Sequence, residues 1–408
     1  MNELLTIHLP FFRRDNPLAG FSIFFVFVCA VNILMNYING HLFFSDFKVY
    51  YTAASNLMTG GPVYLEPFGQ GSGFFKYSPL TLLFFLPYTA FSFQTAALIH
   101  YCFLCLGLFY SFVMIRQLLV NYYFPRNIKQ EWLLLVFSFI CIFIHVVREL
   151  YLGNINSFML MFSLVALCRF LKNKKISGGV LLGLVVLTKP FFLLLLLPLL
   201  FRGKFKAIGW FCLTIIIGIL LPFIIFGPHM GFNLHKEWIS TMVIHDQGFP
   251  GTHTMTYLLQ HYLFPGMNGF VDHMINLATC LLVCWLIFRN RLMERKIKES
   301  GKFEDWNFIF EWFALLALIP LLVKTDSEHF LASVPLIAFL IYFVRVNKCF
   351  WQIPVMLLLV FFFGANSTDL LGKVLSEKLD AMGVLGLSNL LLIVLTCCNY
   401  VYFRSLSD

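Results

Sequence analysis

Charge is what this chain has least of. Only 12% of its 408 residues are Asp, Glu, Lys or Arg, about half the share found in ordinary soluble domains. That scarcity excludes a molecule surrounded by water. The phosphate-cradling patterns GxGxxG and GxxxxGK[ST] are missing, and so is the serine elbow GxSxG. Nucleotide-loop binding and serine-hydrolase chemistry therefore have no footing. Cysteine is present but not as a framework. Most of the 11 Cys lie inside apolar runs, and Cys102–Cys105 form a CxxC with no second pair. A zinc or dithiol site is not expected.

What is there is apolar. Hydrophobic residues make up 60% of the chain, Phe alone accounts for 50 positions, and the mean hydropathy is +0.82. No soluble core can hide that much surface, so the reading is an all-α polytopic membrane protein. The net charge of +9 would suit a nucleic-acid partner if it formed a patch. It is instead spread in short basic runs between apolar segments, the pattern of cytoplasmic loops. No nucleic acid is expected.

Taken in order, residues 1–20 are polar, with Arg13-Arg14 as a positive-inside anchor and no cleavage site. Residues 21–39 cross outward. A first outer loop with interfacial or re-entrant helices fills 40–93, with turn points at Gly60-Gly61-Pro62 and Gly69 to Gly73. Its apolar part from Ser78 to Phe93 is too short to span and holds Pro79 and Pro87, so it is expected to stay on the outer side. Crossings follow at 94–118, 132–147 and 157–171, with residues 148–156 as a short outside turn. Residues 176–188 and 190–201 form a hairpin with Lys189 at its tip. After a crossing at 207–226 comes a second large outer loop, 227–272, and the outer-face loops are expected to hold amphipathic helices. Further spans lie at 273–289, 307–323, 329–344, 352–366 and 385–403. The whole of 1–408 is one integral membrane domain of about 12 membrane helices, some short or re-entrant. Both termini are expected in the cytoplasm, because this arrangement puts most Lys and Arg inside. A bacterial inner membrane suits such a chain.

Ionisable groups at membrane depth are costly, which makes them functional candidates. Asp46 lies just beyond the first span, beside Lys48, Tyr50 and Tyr51. It reads as a catalytic carboxylate, a solvated loop acid or a helix start. Arg148-Glu149 to Asn156 encloses Gly153-Asn154-Ile155-Asn156; guanidinium and amides suit a phosphate or sugar, and an Arg148–Glu149 interfacial pair is the plainer alternative. Lys189, between two short apolar helices and next to Phe191 and Phe192, needs an anion, a carbonyl or water. His329 opens a span and offers a donor to an anion. The histidines of the 227–272 loop, His245 and His253 with Asp246 among them, match no metal-ligand spacing, so no metal is expected. Asn366-Ser367-Thr368 is a formal glycosylation sequon.

Several of these stretches share a family likeness. Asp46-Phe47-x-x-Tyr50-Tyr51, Gly60-x-Pro62-x-Tyr64 and Tyr77-Ser78-Pro79-Leu80 resemble the first loop of family 87 glycosyltransferases. Gly153-Asn154-x-Asn156 resembles that family's Gly-Gln-x-Asn turn, with Asn154 where Gln is usual. Gly179 to Gly183 with Thr188-Lys189-Pro190 resembles its Lys-Pro hairpin. The resemblance implies a GT-C fold, transfer on the outer face and a polyprenyl phosphate sugar as donor, commonly of mannose. It implies a glycan or glycolipid acceptor, no cofactor, and Asp46 as general base. Tyr50, Arg148, Asn154, Asn156, Lys189 and His329 would contact substrate. The rival from another class is a lipid or solute transporter of the cell envelope, which discontinuous helices and a buried lysine also suit.

Overall fold

A computed structural model describes residues 17–40, 42, 44–67, 73–125, 128–248, 251–266, 269–296, 300–365 and 367–405. Arg13-Arg14, Gly69 to Gly71, Arg126, Lys298 and the sequon residue Asn366 lie outside the described residues, as do the side chains of His245 and Asp246. Among the described residues there is no strand.

The chain opens with α1 (Pro17–Ile38), α2 (Ser45–Thr59), α3 (Pro79–Phe85) and α4 (Phe93–Leu118). Next come α5 (Glu131–Cys141), α6 (Phe143–Leu152), α7 (Asn156–Leu171), α8 (Lys175–Thr188) and α9 (Leu197–Phe201). The remainder is α10 (Phe205–Phe226), α11 (Pro228–Gly248), α12 (Met255–Tyr262), α13 (Gly269–Lys296), α14 (Ser300–Leu322), α15 (Val334–Val346), α16 (Ile353–Phe363), α17 (Thr368–Leu371), α18 (Lys373–Ala381) and α19 (Val384–Ser405). Among the described residues, seven helical stretches are long and apolar enough to cross a membrane, eight if the bent pair α5–α6 counts as one span, and five more apolar helices are shorter. The protein is a multi-pass membrane protein.

Two departures from the expected order matter for the site. The crossing at 132–147 is broken: α5 and α6 meet at 64°, and the helix resumes through Leu152. Arg148 and Glu149 therefore sit in the last turns of α6, and the turn proper is Gly153 to Ile155. The second arm of the hairpin begins as a 3-10 helix over Pro190–Leu196, since Pro190 cannot donate a backbone hydrogen bond and fixes its own φ. The 227–272 loop is largely helical, built from α11 and α12.

Length decides where the hairpin ends. The 14 residues of α8 rise about 21 Å at ~1.5 Å per residue, short of a hydrocarbon core of about 30 Å. Its tip stays within the protein. Small residues make the close fit possible: a Cβ on Gly179 would lie 2.4 Å from Ala207 O, and one on Gly183 2.7 Å from Thr214 Cβ. Side chains there would force α8 away from α10. The α3 helix is also too short to cross. Ser78 caps it by accepting from Thr81 N, and Pro79 occupies its first turn, where a missing N–H costs nothing. Thr81 Oγ1 donates to Thr188 Oγ1 at 3.2 Å, which ties α3 to the hairpin tip.

Candidate active site

Four segments converge: the start of α2, the loop before α3, the α6–α7 turn and the hairpin tip. Two buried polar chains run through them.

The first chain starts at Asp46, in the first turn of α2 and half-buried. Its Oδ2 accepts from Asn154 Nδ2 at 2.7 Å. Asn154 Oδ1 accepts from Ile155 N at 2.7 Å and from the hydroxyls of Tyr50 and Tyr77 at 3.4 Å each. The two hydroxyls are themselves 3.1 Å apart. Three donors aimed at one oxygen settle which way the amide faces, so its NH₂ is directed at the carboxylate. Burial pushes both phenols well above 10.0, with the charge of Asp46 adding to the effect. They stay protonated and act as donors.

The α6–α7 turn that carries Asn154 has little freedom. Gly153 adopts φ +70, and a Cβ there would lie 2.8 Å from Phe47 Cβ. His100 Nε2 donates to the Gly153 carbonyl at 3.0 Å while its Nδ1 takes the Tyr88 hydroxyl at 3.3 Å. The imidazole stacks on Phe47 at 4.4 Å between ring centres. Glycine and a stacked histidine thus hold the backbone one residue before the amide.

The second chain starts at Glu149, which is fully buried. Its two oxygens accept from Asn156 Nδ2 at 2.9 Å and Ser157 N at 2.7 Å. The second of these satisfies a free N–H at the start of α7. Asn156 Oδ1 then accepts from Lys189 Nζ at 2.5 Å. Lys189, only 3% exposed, donates again to His329 Nε2 at 3.0 Å. His329 Nδ1 in turn donates to the Asp326 carbonyl at 3.1 Å, which leaves Nε2 as the acceptor. The Lys189 ammonium also lies 5.6 Å from the centre of the Tyr77 ring. That contact joins the two chains.

Arg148 forms no pair with Glu149. Its Nε meets Glu328 Oε2 at 2.9 Å and its guanidinium stands 3.9 Å from Asp326. The interfacial-pair alternative fails because the two side chains leave the helix in different directions: neighbours in sequence point about 100° apart on a helix. Arg148 is 47% exposed, so it remains accessible.

The structure thus brings together Asp46, Tyr50, Asn154, Asn156, Lys189 and His329, with Arg148 at the edge. Two contributors escaped the sequence reading. Glu149 enters that reading only as the alternative partner of Arg148; its signal is a carboxylate in an apolar helix seven residues before an asparagine. Tyr77 entered only through the family likeness, and its phenol proves to be the joint between the two chains. No group of three or more metal-capable side chains occurs among the described residues. Among the described side chains of α11 and α12, His235 stacks on Phe223 and His261 on Tyr257.

Residues 74–296, more than half of the chain, match the model of glycosyltransferase family 87. The matched region takes in Tyr77, Arg148, Glu149, Asn154, Asn156 and Lys189. It begins after Asp46 and Tyr50 and ends before His329. No curated protein and no solved structure matched the chain.

Proposed function

On the premise that this chain belongs to glycosyltransferase family 87, we propose that it transfers a hexose, mannose being the first candidate, from a polyprenyl phosphate sugar to a glycan or glycolipid acceptor at the outer face of a cell membrane. The observation that carries the reading is the Asp46–Asn154 hydrogen bond at 2.7 Å. It holds one half-buried carboxylate beside two buried phenols, with a lysine and an arginine a short distance away.

In this reading Asp46 accepts the proton of an acceptor hydroxyl as that oxygen attacks the anomeric carbon. The bond from that carbon to the phosphate oxygen breaks on the opposite face, which inverts the configuration. The lipid leaves as a phosphate monoester with one more negative charge. Lys189, enclosed by the protein, and Arg148, at the exposed edge, stabilise that growing charge. Arg148 is suited to exchange a carboxylate oxygen of Glu328 for a phosphate oxygen, since its planar guanidinium can donate paired hydrogen bonds to two oxygens of either group. Tyr50, Asn154, Asn156 and His329 orient the sugar and the charged groups. The donor is a co-substrate, and no cofactor enters the scheme.

Room for lipid supports the same reading. Two apolar clefts between α1 and α4, of about 470 and 490 Å³, share Ile33, and the upper one is lined by Phe44, two residues before Asp46.

The test is a panel of polyprenyl phosphate sugars offered to the purified protein, with release of free lipid phosphate followed by mass spectrometry. Asp46→Asn should fold and bind the donor, yet lose turnover by about 10²-fold or more. Full turnover by that variant would remove Asp46 from the mechanism. Solute counterflow in proteoliposomes with no glycosylated product would favour the transporter instead.

A further inference from the structure

The far end of the hairpin offers a second place for an anion. Helices α8 and α10 run in the same direction, since Gly179 packs on Ala207 and Gly183 on Thr214. Both begin at one level, and α8 puts about 21 Å of helix between that level and Lys189. Each starts from a closed turn. Asn173 adopts φ +57, and Lys174 N donates to the Arg169 carbonyl at 2.8 Å. Gly203 adopts φ +63, and Lys204 N donates to the Leu199 carbonyl at 3.0 Å. These left-handed ends of the preceding helices hold the lysine-bearing segments in place.

A cavity of about 540 Å³ lies at these starts, lined by Asn173, Lys174, Lys175, Ile176, Ser177 and Lys206. Its size is that of a small-ligand site, about 300–1,000 Å³. Three of the six lining residues are lysines and none is acidic. Among the described residues none of the three lysines forms an ion pair. Glu304 and Asp305 act on Lys204, outside the lining, and Glu304 is paired with Arg291 at 3.4 Å. Arg169, Lys172 and Lys204 adjoin the lining in sequence, so this end stays cationic.

The cavity continues onto an apolar face. The helical period places Lys206 on one side of α10 with Leu213, Ile217 and Leu220, and all three apolar side chains are exposed. Between Lys206 and Leu213 that side is open, because a Cβ on Gly209 would meet nothing within 4 Å. One leaflet is about 15 Å deep, which about ten residues of helix cover at ~1.5 Å each. That length runs from Lys206 nearly to Ile217. Ile176 and Phe205 are exposed at the mouth.

We propose that this cavity binds the phosphate of an anionic glycerophospholipid, with an acyl chain laid along α10 from Gly209 to Ile217. Charge complementarity selects the headgroup. The apolar face leading away from Lys206 selects a lipid over a soluble phosphate. The site is distinct from Asp46 and stands independently of the transferase reading.

Native mass spectrometry of the purified full chain in detergent, titrated with phosphatidylglycerol or phosphatidylcholine of matched acyl chains, tests this. The unaltered protein should prefer phosphatidylglycerol by about tenfold or more. The triple variant Lys174→Gln, Lys175→Gln, Lys206→Gln should lose that preference, at about fivefold for each lysine. A second triple, Lys129→Gln, Arg345→Gln, Lys348→Gln, removes the same charge from other basic loops expected on the same side, and should keep it. Gly209→Trp should weaken phosphatidylglycerol binding with every lysine in place. Equal affinity of the first triple and the unaltered protein would overturn the site. An equal loss in the second triple would reduce the effect to diffuse surface charge and overturn it as well. Displacement of the lipid by an equal concentration of glycerol phosphate would overturn the lipid as ligand. Should the first triple not fold, Lys206→Gln alone decides: about fivefold weaker binding supports the site, and unchanged binding overturns it.

Discussion

Asn154 serves Asp46 and the two tyrosines from opposite ends of one amide. Its Nδ2 donates to Asp46 Oδ2 at 2.7 Å, and its Oδ1 accepts from Tyr50 and Tyr77 at 3.4 Å each. The carboxylate is thereby oriented by groups 27 residues apart in sequence and on two different elements. Removing the amide should therefore affect the chemical step more than donor binding.

Asn154→Ala deletes a hydrogen bond to a charged group, worth about 1.5–3 kcal/mol. At ~1.4 kcal/mol per tenfold, kcat should fall by about 10- to 100-fold, with the donor KM nearly unchanged. Asn154→Gln, which keeps the amide, should retain more activity. Asn154→Asp should be worst, because it sets a second carboxylate against Asp46. Initial rates at varied donor concentration separate these cases; an Asn154→Ala enzyme with unaltered kcat would remove the orienting role.

Glu149 anchors the other chain. Glu149→Ala leaves Asn156 Nδ2 and Ser157 N without acceptors in a buried place, each at about 1–3 kcal/mol. The thermal midpoint should drop clearly. Because Asn156 holds Lys189, the donor KM should also rise. A variant with normal KM and a lowered midpoint would make Glu149 a purely structural residue.

Gly153→Ala meets two obstacles. A positive φ costs a side-chain-bearing residue about 1–3 kcal/mol, and the new Cβ would stand 2.8 Å from Phe47 Cβ. The yield of folded protein should fall, and whatever folds should show weakened activity, since Phe47 adjoins Asp46. Circular dichroism melting and a rate assay on the same sample check both. Gly60→Ala is the comparison: it also has positive φ, with nothing within 4 Å of its Cβ, so it should be the milder change.

The buried phenols set a limit at high pH. Tyr50 and Tyr77 titrate well above 10.0 in the folded protein because burial disfavours their ionised form. In the unfolded chain they titrate near 10. The folded state thus binds these protons more tightly. The contribution of the two phenols to stability is undiminished below about pH 10 and declines as pH rises toward the folded values. Above about pH 10 thermal midpoints should fall, and the fall should be shallower in Tyr77→Phe.

The opposite end of the bundle shows how differently a charge cluster can be used. Arg202 is enclosed and donates to Glu311 at 2.6 Å and Glu294 at 2.7 Å. Asn307 and Arg291 complete the coordination of Glu294. Arg202, Arg291, Glu294 and Glu311 each have a partner of opposite charge inside the protein. At the Asp46 end the charges are connected through amides and phenols, and Arg148 keeps an exposed face.

The amino-acid sequence by itself determined the membrane character, most helix positions and the short loops whose polar side chains converge. These follow from local rules: apolar run length, proline and glycine at fixed places, and the cost of an ionisable group at membrane depth. Asp46 beyond the first span, the Gly153–Asn156 turn and the Thr188-Lys189-Pro190 tip were legible for that reason. What only the tertiary structure decided is partnership. Arg148 turns to Glu328 rather than to adjacent Glu149, Glu149 reaches forward to Asn156, and Tyr77 joins the aspartate to the lysine. Such pairings depend on which faces of separate helices meet, and helix packing brings together residues whose separation along the chain carries no local signal.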